Sequence, residues 1–197
     1  TSVAAQLRLP QTMFALHSVR PDLILLRVVA RGLIMWDDVR PTKTWFSSQQ
    51  TPLMRSPRGL APVEREDEEA VRLANVNSVA GASVALGLRF AGSCCKPACE
   101  MLMEQVRELH SLRQACGGRN SRKAEKPTLE ACLAATAIAM SMVMAGSGNL
   151  RCLRLLRLLR RRVDPEISCG FHMALSMGLG FLFLGGGRLT LGTSNTA

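Results

Sequence analysis

Three stretches of this 197-residue chain end alike, and that repeat limits the folds open to it more than any other feature. Residues 85–93 read ALGLRFAGS, 139–147 read AMSMVMAGS and 178–186 read GLGFLFLGG, at offsets of 54 and 39 residues. In each copy small residues recur four apart: Ser83-Gly87-Ala91, then Ala137-Ser141-Ala145, then Ser176-Gly180 followed by Leu184. Positions i, i+4 and i+8 share one stripe of a helix, and short side chains there let a neighbouring backbone come close. A glycine just past the last apolar residue supplies the left-handed conformation in which helices commonly end. Gly87, Ser141 and Gly180 are therefore expected packing positions, and Gly92, Gly146, Gly148, Gly185, Gly186 and Gly187 expected turns. Helix pairs recurring at roughly 40 residues imply an all-α fold, an α-solenoid of stacked helix pairs, with closure into a toroid left open.

The interior residues agree. Aromatic residues make up 4% of the chain and tyrosine is absent. Leu, Ala, Val, Met and Gly then fill the core, which suits close-packed helices better than strands rich in aromatic and β-branched residues. The pattern predicts helix pairs at 22–50, 70–116 and 128–162, a partial pair at 166–197, and loops at 51–69 and 117–127. Thr42 after Pro41, and Asp164 before Pro165, suit helix starts. The acidic run from Glu64 to Glu69 places carboxylates where a helix dipole is positive. The chain opens without Met and stops after a dense apolar stretch, so a piece of a longer protein is expected.

Charge narrows the partners less than it first suggests. The net charge is +10, and only Lys43, Lys96, Lys123 and Lys126 among the 25 basic residues are lysines. An excess of this kind suits nucleic acid, anionic lipid or an acidic protein, and equally a solvated basic face. It concentrates in NLRCLRLLRLLRRR (149–162), where Arg154, Arg157, Arg160 and Arg161 fall on one arc and Cys152, Leu155, Leu156 and Leu159 on the other. Two readings stand: a wet face of a paired helix, or a face for an acidic partner. No nucleic-acid or membrane partner is expected.

No catalytic pattern emerges. The glycines form neither a G-x-G-x-x-G turn nor a phosphate loop, and no G-x-S-x-G, H-E-x-x-H or paired-carboxylate motif is present. His172 sits alone on an apolar helix, and His17 and His110 belong to no Cys, Ser or Asp arrangement that suggests a nucleophile. Cys95, Cys99, His110 and Cys116 approach zinc spacing. One helix over 97–116, however, sets Cys99 and His110 about 16 Å apart, beyond bonds of about 2.0–2.3 Å. No metal or cofactor is expected, and seven cysteines with no secretory signal suggest reduced thiols in the nucleus and cytoplasm. The uncharged stretches 131–150 and 167–187 are each long enough for a bilayer, so a membrane hairpin is an alternative.

Four passages carry a resemblance. LRVVARGLIMWDDVRPTKTWFSSQ (26–49), VNSVAGASVALGLRFAGS (76–93), MVMAGSGNLRCLRLLRLL (142–159) and CGFHMALSMGLGFLFLGGGRLTLGTSN (169–195) resemble proteasome/cyclosome repeats. The wording of the last two is most similar to the cyclosome branch. Leu175 and Ser176 stand where that family commonly carries His, and Leu189 where it carries Tyr. The resemblance implies a non-catalytic scaffold of the anaphase-promoting complex, a multisubunit cullin-RING-type ubiquitin ligase controlling mitotic progression. Its implied partners are other cyclosome subunits and the coactivator. The alternative within the family is a base subunit of the proteasome regulatory particle.

Overall fold

The computed structural model describes residue 7 and residues 9–55, 65–115, 125–162 and 167–185. They form α1 (Met13–His17), α2 (Pro21–Ile34), a 3-10 turn (Trp36–Asp38), α3 (Lys43–Ser48), α4 (Pro52–Arg55), α5 (Arg65–Arg89), α6 (Lys96–Ala115), α7 (Glu125–Val143), α8 (Leu150–Arg160) and α9 (Cys169–Leu182). No strand occurs among the described residues. Side chains cap the starts: Thr42 accepts the Trp45 amide, Asn149 those of Arg151 and Cys152, and Ser168 that of Phe171. Each satisfies donors that a first helical turn leaves unpaired.

Residues 51–69, expected as a loop, in part form helix. They hold α4 and the first turn of α5. Leu53 and Met54 are buried, and a helical turn lets both reach the core while the Met54 amide donates to the Thr51 carbonyl at 3.0 Å. Residues 56–64 and 116–124, the Asp164-Pro165 pair, and the tail from Gly186 onward lie outside the described residues.

Two rows of helices make the array. In the first, α2, α5, α7 and α9 stand side by side, each packed on the next. In the second, α6 lies against α5 and α7, and α8 against α7 and α9; α3 joins α6 through a 2.8 Å Lys43–Glu104 ion pair. One apolar cluster runs the length of the rows, from Ile24 and Val28 through Leu86, Leu102, Leu133 and Met140 to Leu156, Leu175 and Leu182. Each buried leucine there contributes about 1.5–3 kcal/mol relative to exposure. This is the stacked helix-pair order of an α-solenoid.

Candidate functional surfaces

The first row is held by a register that advances two residues at every step. Gly32 on α2 meets Ala85 on α5, where an added Cβ would lie 2.5 Å from that of Ala85. Two residues on, Gly87 faces forward instead: its Cβ would lie 2.6 Å from Ala139 Cβ on α7 and 2.8 Å from Ala139 Cα. Ser141, two residues past Ala139, is fully buried and faces α9, where a Cβ on Gly178 would come within 2.8 Å of Ser141 Oγ. Ala85, Ala139 and Gly178 are the same position of the repeat and look back; Gly87 and Ser141 look forward. Gly180 is the third forward position, and among the described residues nothing lies within 4 Å of its Cβ site. The expected packing stripe Ser176-Gly180-Leu184 is thus not a contact face among the described residues. Ser176 and Leu184 are exposed, and α9 packs through Phe171, Leu175, Gly178 and Leu182. Met173 and Met177 lie on the same helix, 65% and 53% exposed.

Turns repeat the stitch in the backbone. Gly92 and Cys94, after α5, donate their amides to the Met142 and Val143 carbonyls near the end of α7, at 2.8 and 3.0 Å. Gly146 and Gly148, after α7, donate to Phe181 and Leu182 near the end of α9, both at 2.9 Å. These turns need positive φ: +67° at Gly92, +73° at Gly146, +59° at Gly148 and +68° at Gly185. Cys94 takes the position of Gly148 at +52°, a conformation that costs a side chain but not a glycine. Gly186 and Gly187 fall outside the described residues.

A buried ion pair locks the rows together. Arg113 on α6 donates to Glu130 on α7 through Nε and Nη2, at 3.1 and 2.9 Å, and both side chains are over 90% buried. Arg162, beyond α8, reaches the same carboxylate at 3.9 Å and lies over the Phe171 ring of α9. Nothing in the sequence pattern announces this cluster, because Arg113 and Glu130 flank the polar linker. Trp36 is covered in turn by Arg89 of α5, which also donates to Asp37 at 3.2 Å.

Among the described residues, the thiols and histidines do not assemble a reactive centre. Cys99 of α6 and Cys152 of α8 are buried with Sγ atoms 3.4 Å apart. Their hydrogen bond lowers the Cys99 pKa and raises that of Cys152. Burial pushes Cys132 up to about 12, a poor nucleophile at neutral pH. His110 is held below 6.5 by burial and by the charges of Arg162 and Arg113. Cys116 lies outside the described residues, and among those described no three His, Cys, Asp or Glu residues gather as metal ligands. A half-open cleft of about 230 Å³ lies between α3, α5 and α6, with Phe46, Val76, Met101 and Leu112 lining it and Glu104 and Glu108 at its edge. It is smaller than the roughly 300–1,000 Å³ of small-molecule sites, and its lining has no His or Cys.

The arginine face of α8 is where the helical wheel puts it. Arg154, Arg157, Arg160 and Arg161 are exposed; Cys152, Leu155, Leu156 and Leu159 are buried. None of the described helices is long and apolar enough to cross a membrane. The stretch 131–150 contains the Gly146 turn, and α7 buries the charged Glu130 just before it.

Comparison with known proteins assigns the array. The model of the APC1 fifth domain matches residues 1–197. The chain is 40% identical to anaphase-promoting complex subunit 1 of Homo sapiens over 202 residues, covering 100% of this chain and 10% of that protein. It is 40% identical to the subunit of that name in Arabidopsis thaliana, covering 98% and 12%. It is 36% identical to the negative regulator of mitosis of Emericella nidulans, covering 100% and 9%. The chain thus spans about a tenth of the length of these relatives.

Proposed function

Because the chain belongs to the APC1 fifth-domain family, we propose that it is a non-catalytic stretch of the scaffold of the anaphase-promoting complex. The observation that carries this is the register of the first row. Each long helix uses one small position to receive the helix before it and another, two residues on, to receive the helix after it. At Gly180 no described residue occupies the second position. An element built this way extends an array, and an extended array acts by geometry: it holds other subunits at fixed separations while the chemistry of ubiquitin transfer takes place elsewhere. Closure of such an array into a ring follows if every further step keeps the same sense. The reading places the protein in the nucleus and cytoplasm with reduced thiols, alongside other cyclosome subunits and the coactivator.

The test is co-purification with the full-length protein, tagged at its natural locus. Recovery of cyclosome subunits in fixed proportion supports the reading. Recovery of proteasome ATPases in their place overturns it.

A further inference from the structure

We propose that the outward face of α8 docks an acidic amphipathic helix of another subunit, with carboxylates on Arg154, Arg157 and Arg161 and apolar side chains over Leu150 and Leu158. This deepens the scaffold reading and rests on it, since it names a surface on which the array holds a partner. The first observation is geometric. With Cys152, Leu155, Leu156 and Leu159 committed to the core, the opposite arc carries Leu150, Arg154, Arg157, Leu158 and Arg161, with Arg160 at its edge. Leu150 and Leu158 are 63% and 55% exposed. Leucines bracketing arginines on a wet face form a patch of mixed character, unlike a face built for water alone.

The second observation is the pattern of pairing. Cations that reach across elements elsewhere meet an acid: Lys43 meets Glu104, Arg89 meets Asp37, Arg113 meets Glu130 and Arg151 meets Glu100. Among the described residues, none of Arg154, Arg157, Arg160 and Arg161 has a carboxylate within 4.0 Å. Like charges a turn apart repel, so the face is improved by an acidic neighbour. From Arg154 to Arg161 is about 10 Å along the axis. That is two turns, so a facing helix with acids at i, i+3 or i+4, and i+7 matches it, and guanidinium forks take carboxylates in bidentate fashion. Nucleic acid fits less well, because phosphates leave the two leucines uncovered. A lipid surface fits less well too, because the main apolar stripe of α8 is already spent on the core.

The experiment uses the full-length protein in its assembled complex. A photo-crosslinking residue at Leu158 is expected to capture a segment of another subunit that carries net negative charge with acids at helical spacing. Capture of a neutral or basic segment, of this chain itself, or of nothing overturns the proposal. In parallel, the Arg154→Glu, Arg157→Glu, Arg161→Glu triple variant is expected to lower recovery of that one subunit about tenfold, with the others retained. The Arg→Gln triple variant falls between, and wild-type recovery declines as salt is raised. All three side chains are exposed, so helicity and urea midpoint should match the wild type. Equal recovery of every subunit from wild type and variant overturns the docking face alone. Absence of every cyclosome subunit from the wild type overturns the scaffold reading itself. Binding of RNA or anionic vesicles that the triple variant abolishes, without a crosslink to an acidic helix, also overturns the proposal.

Discussion

Replacing Gly87 with Ala adds a single methyl group where α5 crosses α7, and the structure fixes what that methyl meets. Its Cβ would lie 2.6 Å from the Cβ of Ala139, 2.8 Å from its Cα and 3.1 Å from its carbonyl oxygen. The first distance is about 0.8 Å short of the 3.4 Å at which ordinary contact begins. Two of the three opposing atoms are backbone, so no rotamer change relieves the clash and the helices must part. Ala favours the helix over Gly by about 0.8–1.0 kcal/mol, while overpacking costs about 1–3 kcal/mol and occasionally more. A backbone clash belongs at the upper end, which leaves a net loss of about 1–2 kcal/mol and a fall in Tm of roughly 2–8 °C. Gly180→Ala is the matched control. Among the described residues nothing lies within 4 Å of its Cβ site, so only the propensity gain remains and the 197-residue chain should be stabilised by up to about 1 kcal/mol. Thermal and urea unfolding followed by far-UV circular dichroism measure both. If a further repeat helix packs on Gly180 in the full-length protein, as the scaffold reading implies, the same substitution there should become destabilising. A Gly87→Ala chain at least as stable as the wild type would refute the close-approach argument.

Three further outcomes follow from particular contacts. Glu130→Ala takes away the carboxylate that the buried Arg113 grips through two N–H groups and should cost about 3–5 kcal/mol in urea unfolding, whereas Arg113→Met with Glu130→Leu together should cost far less. Cys94→Gly relieves a side chain held at φ +52° and should raise stability by about 0.5–1 kcal/mol in the same assay. His110, held below 6.5 by burial and by Arg162 and Arg113, takes up its proton later in the folded state than in the unfolded one. Its contribution is therefore present above pH 6.5 and lost as pH falls below it, and His110→Gln should flatten that limb of the urea midpoint against pH.

The repeat itself is legible in the residues. Glycines after apolar runs predict chain reversals because only glycine takes positive φ without cost, and Gly92, Gly146, Gly148 and Gly185 take it. Helical periodicity likewise separates the wet and buried sides of α8, since both follow from 100° per residue. Local rules of this kind act within a few residues, and the sequence alone suffices for them. What periodicity does not carry is which neighbour a face meets. Gly180 matches Gly87 and Ser141 in sequence, yet α9 packs through Gly178, because the helix before it and the helix after it occupy positions two residues apart. The Arg113–Glu130–Arg162 cluster is hidden for the same reason: its members come from separate segments, and only packing excludes the water that would otherwise dissolve the pair. The sequence by itself determined an all-helical repeat with glycine-ended helices. Tertiary structure decided the direction each small residue faces, which carbonyls the turns reach, and which of the basic residues found an acid.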